Sequence, residues 1–239
     1  MATLRNPVRE PRPGAWRVVL GVSAAALAAC ATVTHSTKDP VFQRKYGDFT
    51  YAEVEAVKQT TQRSCGLAAL ACVLRYWEKP ASEPDLVARH PLEQNAIGHT
   101  VEALRDIAAS HGLAAFAVSF GDRPTAHLSE QISKGRPVIV PVHCPQGRYF
   151  GDPLPVVETT DARVFRPFGI VPSATGKEFK HHYVVVVGED RTRYLVMDPA
   201  YGLVTVRKES LLAWWKQESH AALLCAPAAA EAPAPAPAS

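Results

Sequence analysis

The sequence contains 239 residues, of which 47% are hydrophobic and 21% are charged, an apolar content that is sufficient for the core of an ordinary folded domain. Its five cysteines form no C-x-x-C pair, and no H-E-x-x-H motif is present, so we expect neither a disulfide scaffold nor a metal or other cofactor. The net charge of +3 is carried by residues 1–29, which contain four arginines and one acidic residue. Because the remainder is neutral and has no basic stripe, we expect no nucleic-acid partner.

An apolar run follows the basic N-terminal residues and is too short to span a bilayer. Residues 18–29 carry no charge, and at about 1.5 Å per residue they form a helix of about 18 Å, well short of the ~30 Å hydrocarbon core. This pattern is typical of a signal peptide.

The end of that run resembles the lipobox of bacterial lipoproteins, with the sequence Leu-Ala-Ala-Cys at residues 27–30. The resemblance implies cleavage before Cys30 and acylation of its thiol, which would anchor the protein to a membrane. Ala31 in the next position implies the outer membrane, with the protein facing the periplasm. The alternative is an ordinary cleavage site followed by an unmodified cysteine.

The rest of the chain divides by composition into a linker, a folded region and a tail. We interpret residues 30–47 as a polar tether and residues 226–239 as a disordered tail of proline and alanine. Residues 48–225 are then the folded domain. We find no internal repeat in it.

The predicted elements of this domain begin with helices and end with strands. Four helices are predicted first, over residues 65–77, 83–89, 101–110 and 125–134. Four strands are predicted after them, over residues 137–142, 183–188, 194–198 and 203–206. A last helix over residues 209–216 and a short strand over residues 222–225 complete the domain. This order predicts an α+β fold in two layers. Residues 144–180 form a long stretch rich in proline and glycine, which is typical of a functional loop.

Cys65 is the strongest candidate nucleophile. It begins a predicted apolar helix, with Ser64 before it as a candidate N-cap. Unpaired N–H groups and the helix dipole favour a thiolate at such a position. The alternative is a buried cysteine that only packs, and this is our interpretation of Cys72, about 10.5 Å further along the same helix.

His182 and Asp198 are the candidate base and its orienting carboxylate. A hairpin whose turn is centred on Asp190 would place them directly opposite each other on one face, with Cβ atoms about 4.5–5.5 Å apart. A carboxylate at that distance orients an imidazole, whereas a one-residue bulge would break the register. His181 would point to the opposite face. Alternatively, His182 is a polar strand end and Asp198 starts a turn.

The remaining candidates are less distinctive. Gln59, six residues before the candidate nucleophile, would stabilise an oxyanion together with the Cys65 backbone N–H, and Gln62 is its rival for that role. We discount His143 as a base for Cys144, because neighbouring side chains on a strand point to opposite faces. Cys144 and Cys225 would either form a disulfide in an oxidising compartment or stay reduced.

Three segments together resemble the bacteriocin-processing, double-glycine leader peptidases. They are Q-T-T-Q-R-S-C-G at residues 59–66, H-Y-V-V-V-V-G at 182–188 and V-M-D-P-A-Y-G at 196–202. In that family a glutamine precedes Cys-Gly by five intervening residues, and Asp-Pro follows the histidine by sixteen positions. The likeness extends over about residues 50–225.

The resemblance implies a papain-like fold, in which a helical layer containing the buried nucleophile helix packs on an antiparallel sheet. It implies Cys65 as nucleophile, His182 as general base and acid, Asp198 as its orienting group and Gln59 in the oxyanion hole. The expected partner is a peptide or protein substrate. The usual members are joined to an exporter, whereas this chain contains nothing that resembles a nucleotide-binding loop.

Two other functions stay open at this point. A papain-like peptidase on the outer membrane would also reach the stem peptides of peptidoglycan. A non-catalytic module would use the same cleft only to hold a peptide, although such modules usually lack the cysteine that this chain has.

Overall fold

The computed structural model describes residues 36–38, 40–143 and 181–228. Its helices are α1 (Pro40–Lys45), α2 (Cys65–Tyr76), α3 (Glu83–Arg89), α4 (Val101–Ser110), α5 (Pro124–Ser133) and α6 (Lys208–Lys216). Its strands are β1 (Thr50–Tyr51), β2 (Leu113–Ser119), β3 (Val138–Val142), β4 (His182–Glu189), β5 (Arg193–Asp198), β6 (Gly202–Arg207) and β7 (Ala221–Pro227). No helix in these ranges has the length and apolar character that crossing a membrane requires.

The strands form one antiparallel sheet in the order β2-β7-β3-β4-β5-β6, and β1 pairs with the end of β4. Helix α2 packs on one face, where Cys65 through Leu74 are all buried. Helices α5 and α6 cover the opposite face. Because β4 is covered on both faces, its sequence is a continuous run of valines rather than an alternating pattern. These features confirm the predicted α+β class with a helical layer on an antiparallel sheet. The expectation of two layers was wrong, because helices cover both faces of the sheet and make three.

The described elements start earlier in the chain than expected. Ser36 bridges Glu55, and the Thr37 hydroxyl accepts a hydrogen bond from the Val54 N–H at 2.8 Å. Phe42, in α1, is fully buried beside the Tyr46 ring. The second half of the predicted tether therefore packs into the core, because aromatic residues in a short polar segment have apolar surface to bury.

Strand β2 is a second difference from the prediction, which assigned no element to residues 113–119. Three of its seven residues are alanine, which has low β propensity, and the burial pattern is mixed. Phe116 is exposed at this edge of the sheet. Its pairing with β7, far away in sequence, stabilises the strand.

The β4–β5 hairpin contains a bulge that the predicted register did not include. Near the turn Glu189 pairs with Tyr194, but beyond the bulge Val186 pairs with Val196, so Val187 is an extra residue. Continuing this register places Asp198 opposite Val184 rather than opposite His182, so the predicted direct pairing was wrong.

The bulge nevertheless keeps His182 and Asp198 on one face. In the shifted register, the residue opposite Asp198 is two positions from His182, and residues two apart on a strand share a face. Without the extra residue, Asp198 would lie opposite Val185, which is three positions from His182. The side chains of His182 and Asp198 would then point to opposite faces.

Candidate active site

Cys65 is the first residue of α2, and no side-chain bond caps this helix. Ser64 occupies the predicted cap position, but its hydroxyl pairs with the Thr61 backbone instead, accepting from N–H and donating to C=O. The thiol of Cys65 accepts from three backbone N–H groups, those of Cys65, Gly66 and Tyr183, and these bonds favour its charged form. Burial outweighs them and raises the thiol pKa above its ordinary value of 9.0.

Close packing brings the start of α2 against β4. A Cβ on Gly66 would lie 3.2 Å from Tyr183 Cδ2 and 3.1 Å from Leu104 Cδ1, so this position has no room for a larger side chain. The Tyr183 hydroxyl donates to the His99 carbonyl at 2.9 Å, which fixes the ring. Since Tyr183 follows His182 directly, the thiol contacts the backbone next to the candidate base.

His182 and Asp198 form the buried pair that the sequence predicted. His182 Nε2 lies 3.1 Å from Asp198 Oδ1, and both side chains are almost completely enclosed. We assign the Nε2 hydrogen to this bond, since a carboxylate accepts. The other ring nitrogen, Nδ1, then points away from Asp198.

Burial sets the charge state of this pair. It lowers the pKa of His182 to about 4, so the imidazole is neutral at pH 7 and able to accept a proton. It raises the pKa of Asp198 to about 7, even though the N–H groups of Ala200 and Tyr201 also donate to Oδ1 and act in the opposite direction. Asp198 Oδ2 is buried and accepts no hydrogen bond within the described residues, which adds to the cost of a full charge.

Gln59 is linked to the same part of the sheet. Its backbone N–H donates to the carbonyl of Pro199, the residue after Asp198, at 3.0 Å. Its side-chain Nε2 donates one hydrogen to the Thr61 carbonyl at 2.8 Å, which leaves the second hydrogen of the amide for another acceptor. Contacts of the backbone and of side chains thus join the four candidate residues into one region, namely Gln59, Cys65, His182 and Asp198.

An open cleft of about 330 Å³ lies beside the segment that precedes Cys65. Gln62, the rival of Gln59, is exposed and lines this cleft together with Arg63 and His99. Ser64, the residue before Cys65, also lines the cleft.

The remaining predicted residues lie elsewhere. Cys72 is fully buried within α2 as expected, and burial raises its pKa to about 12. Cys225 is a buried free thiol in β7, whereas its predicted partner Cys144 and the predicted lipidation site Cys30 lie outside the described residues. His143 lies next to Glu218 and His181.

The sequence analysis did not identify two features of this region. One is the bond from the Tyr183 backbone N–H to the thiol. The aromatic residue directly after His182 is the sequence feature from which it could have been predicted. The other is the group formed by His143, His181 and Glu218, whose members lie far apart in the chain and follow no motif.

The model of the Peptidase_C39 like family matches residues 51–223. No curated protein matches the sequence significantly.

Several solved structures are similar at low identity. One is a double-glycine motif protease from an AMS/PCAT transporter in complex with the leader peptide, at 20% identity and a TM-score of 0.49, covering 74% of this chain and 94% of that one. Another is the peptidase domain of Streptococcus ComA, a bifunctional ABC transporter involved in quorum sensing, at 19% identity and a TM-score of 0.49, covering 72% and 98%. A third, from Bacillus anthracis and described as a C39-like peptidase, has 17% identity and a TM-score of 0.49, covering 72% and 94%.

Proposed function

The chain belongs to the Peptidase_C39 like family, and from this premise we propose that it is a cysteine peptidase with Cys65 as nucleophile and His182 as general base. The observation that carries the proposal is the close packing of the start of α2 on Tyr183, which directly follows a histidine paired with a buried carboxylate. In this arrangement the thiol and the imidazole are both neutral before substrate binds, since burial disfavours each charge.

The first half of the proposed reaction forms a thioester. Cys65 Sγ attacks the carbonyl carbon of the scissile peptide bond while the His182 imidazole takes the thiol proton. The Cys65 backbone N–H and the free hydrogen of the Gln59 amide stabilise the oxyanion. His182 then gives the proton to the leaving amine as the carbon–nitrogen bond breaks.

The second half hydrolyses the thioester. His182 accepts a proton from water, whose oxygen attacks the acyl carbon, and the proton passes to the sulfur as the acid product leaves. Asp198 holds the ring in place through Nε2 and lowers the cost of its positive charge in both halves.

The location of the protein is a separate part of the proposal. The lipobox-like residues 27–30 favour a lipoprotein anchored in the bacterial outer membrane through Cys30 and facing the periplasm. A Cys30→Ala variant that stays in the membrane fraction as firmly as the wild type would exclude this anchor.

A thiol-directed probe tests the nucleophile without knowledge of the substrate. Iodoacetamide should modify Cys65 in the folded wild type, with the site identified by mass spectrometry, and Cys65→Ala should abolish that adduct. Cys72→Ala is the matched control, because this thiol lies on the same helix and is fully buried. Equal total labelling of the wild type and Cys65→Ala would exclude Cys65 as the reactive thiol.

A second experiment identifies the substrate class. Incubation of the purified chain with a panel of Gly-Gly leader peptides and, separately, with purified peptidoglycan distinguishes leader cleavage from stem-peptide cleavage. We expect turnover in the peptide panel that Cys65→Ala abolishes. Peptide binding without turnover, unchanged in Cys65→Ala, would indicate the binding module instead.

A further inference from the structure

A group of three potential metal ligands lies outside the proposed catalytic residues. His181 Nδ1 is 2.9 Å from Glu218 Oε1, and His143 Nδ1 is 3.9 Å from the same oxygen. The two imidazole rings are perpendicular, with centroids 5.6 Å apart. All three ligand atoms lie within 4.8 Å of one another, and the described ranges contain no other such group of three.

The backbone fixes the positions of these side chains. The His143 N–H donates to the Trp214 carbonyl at 3.1 Å, and the Glu218 N–H donates to the Trp215 carbonyl at 2.9 Å. Both tryptophans belong to α6 and are buried in the core. Val142 at the end of β3 also pairs with His182 at the start of β4. The three backbone segments are therefore held together before any ligand arrives, which reduces the entropy lost on binding.

The distances suit a small divalent ion. Zinc binds imidazole nitrogen and carboxylate oxygen at about 2.0–2.2 Å, so neighbouring ligand atoms in a tetrahedral site are about 3.3–3.6 Å apart. The two observed distances, 2.9 and 3.9 Å, lie on either side of that range. Reaching that range requires the side chains to rotate, and His181, which is half exposed, is the least enclosed of the three.

We propose that His143, His181 and Glu218 bind a divalent transition-metal ion such as Zn²⁺, with the fourth position open to water. Two imidazoles and one carboxylate are a ligand set that zinc uses in proteins. The ion would connect the end of β3, the start of β4 and Glu218, which follows α6. One of its ligands, His181, directly precedes His182 in the sequence. The site does not depend on catalysis at Cys65.

Metal titration of the full chain tests this site. Equilibrium dialysis with Zn²⁺ should give one ion per chain in a Cys65→Ala background, which removes the proposed nucleophile as a competing ligand. His181→Ala and Glu218→Ala should each weaken binding at least about 100-fold, since loss of a direct ligand exceeds the 10- to 100-fold effect of outer partners. Circular dichroism confirms that each variant is folded.

A matched control and a spectrum identify the ligands. His127 also lies beside a glutamate, Glu130, at 4.0 Å, but among the described residues this pair belongs to no group of three potential ligands, so His127→Ala should leave binding unchanged. Bound Co²⁺ should show visible d–d bands without a sulfur-to-metal charge-transfer band. Absence of binding in the wild type, a sulfur-to-cobalt band, or equal affinity in His181→Ala would each overturn the proposal.

Discussion

Two histidine–carboxylate pairs lie side by side in this protein, and they are formed by consecutive histidines. His182 is 3.1 Å from Asp198, and His181 is 2.9 Å from Glu218. The first pair is enclosed, with side chains 8% and 0% exposed, whereas the second is open, at 49% and 20%. Nearly equal distances therefore accompany very different surroundings.

Burial, rather than contact distance, therefore determines the chemistry that is open to each pair. Burial shifts the pKa values of His182 and Asp198 in opposite directions and keeps the imidazole neutral at pH 7. The open pair is partly exposed to solvent and has a second imidazole beside it, so it suits an ion that enters from solvent.

The largest expected difference between the pairs is in catalysis. His182→Ala should lower the rate of peptide hydrolysis about 10²- to 10⁴-fold, because it removes the proposed acceptor of the thiol proton. His181→Ala, measured in the same buffer with a chelator, should leave the rate nearly unchanged. If the two substitutions reduce the rate equally, the assignment of the base to the buried histidine is wrong.

A smaller difference is expected in stability. Asp198→Ala removes the acceptor of His182 and Ala200 inside the core, and we expect the free energy of unfolding to fall by about 2–3 kcal/mol. Glu218→Ala removes an exposed partner and should cost about 1 kcal/mol or less. Urea unfolding of both variants measures the two values, and a larger loss for Glu218→Ala would contradict the comparison.

A third expected effect concerns the bulge that brings the enclosed pair to one face. A Cβ on Gly188 would lie 2.5 Å from Tyr51 Cβ and 2.7 Å from the Thr50 carbonyl oxygen. Because these atoms belong to the backbone of β1 or lie next to it, the strand would have to shift, and we expect Gly188→Ala to cost about 1–3 kcal/mol in urea unfolding. Gly98→Ala is the control, since its nearest neighbour would be 3.9 Å away. Equal stability of the two variants would show that β1 does not constrain the bulge.

The sequence predicted most of the helices and the central strands because their signals are local. The bounds of α3 and α4 agree with the prediction, and the Ser82 hydroxyl accepts from the Asp85 N–H as the capping pattern indicated. Gly112 and Gly135 end their helices with positive φ angles. Such features depend on a few neighbouring residues.

The features that were missed depend on distant contacts. Strand β2 has weak β propensity and is stabilised by β7, whose residues lie about a hundred positions later. Helix α1 depends on aromatic packing against residues that follow it. The ligand group of His143, His181 and Glu218 exists only after β3, β4 and α6 are assembled.

The sequence predicted the His182–Asp198 contact, but it did not predict the register of the hairpin that makes it. The hairpin arithmetic assumed a regular ladder, whereas the turn lies further along the chain and one residue is extra in β4. Their catalytic roles stay a prediction.

Val187, the surplus residue of β4, has a consequence for comparing this chain with its relatives. Strand length counts in whole residues, so an insertion or deletion here exchanges inward and outward side chains for the entire segment that follows. A relative without this extra residue would have to carry its histidine one position away to keep the same partner. An alignment of this strand therefore has to preserve the face of the sheet on which each side chain lies, as well as matching residue types.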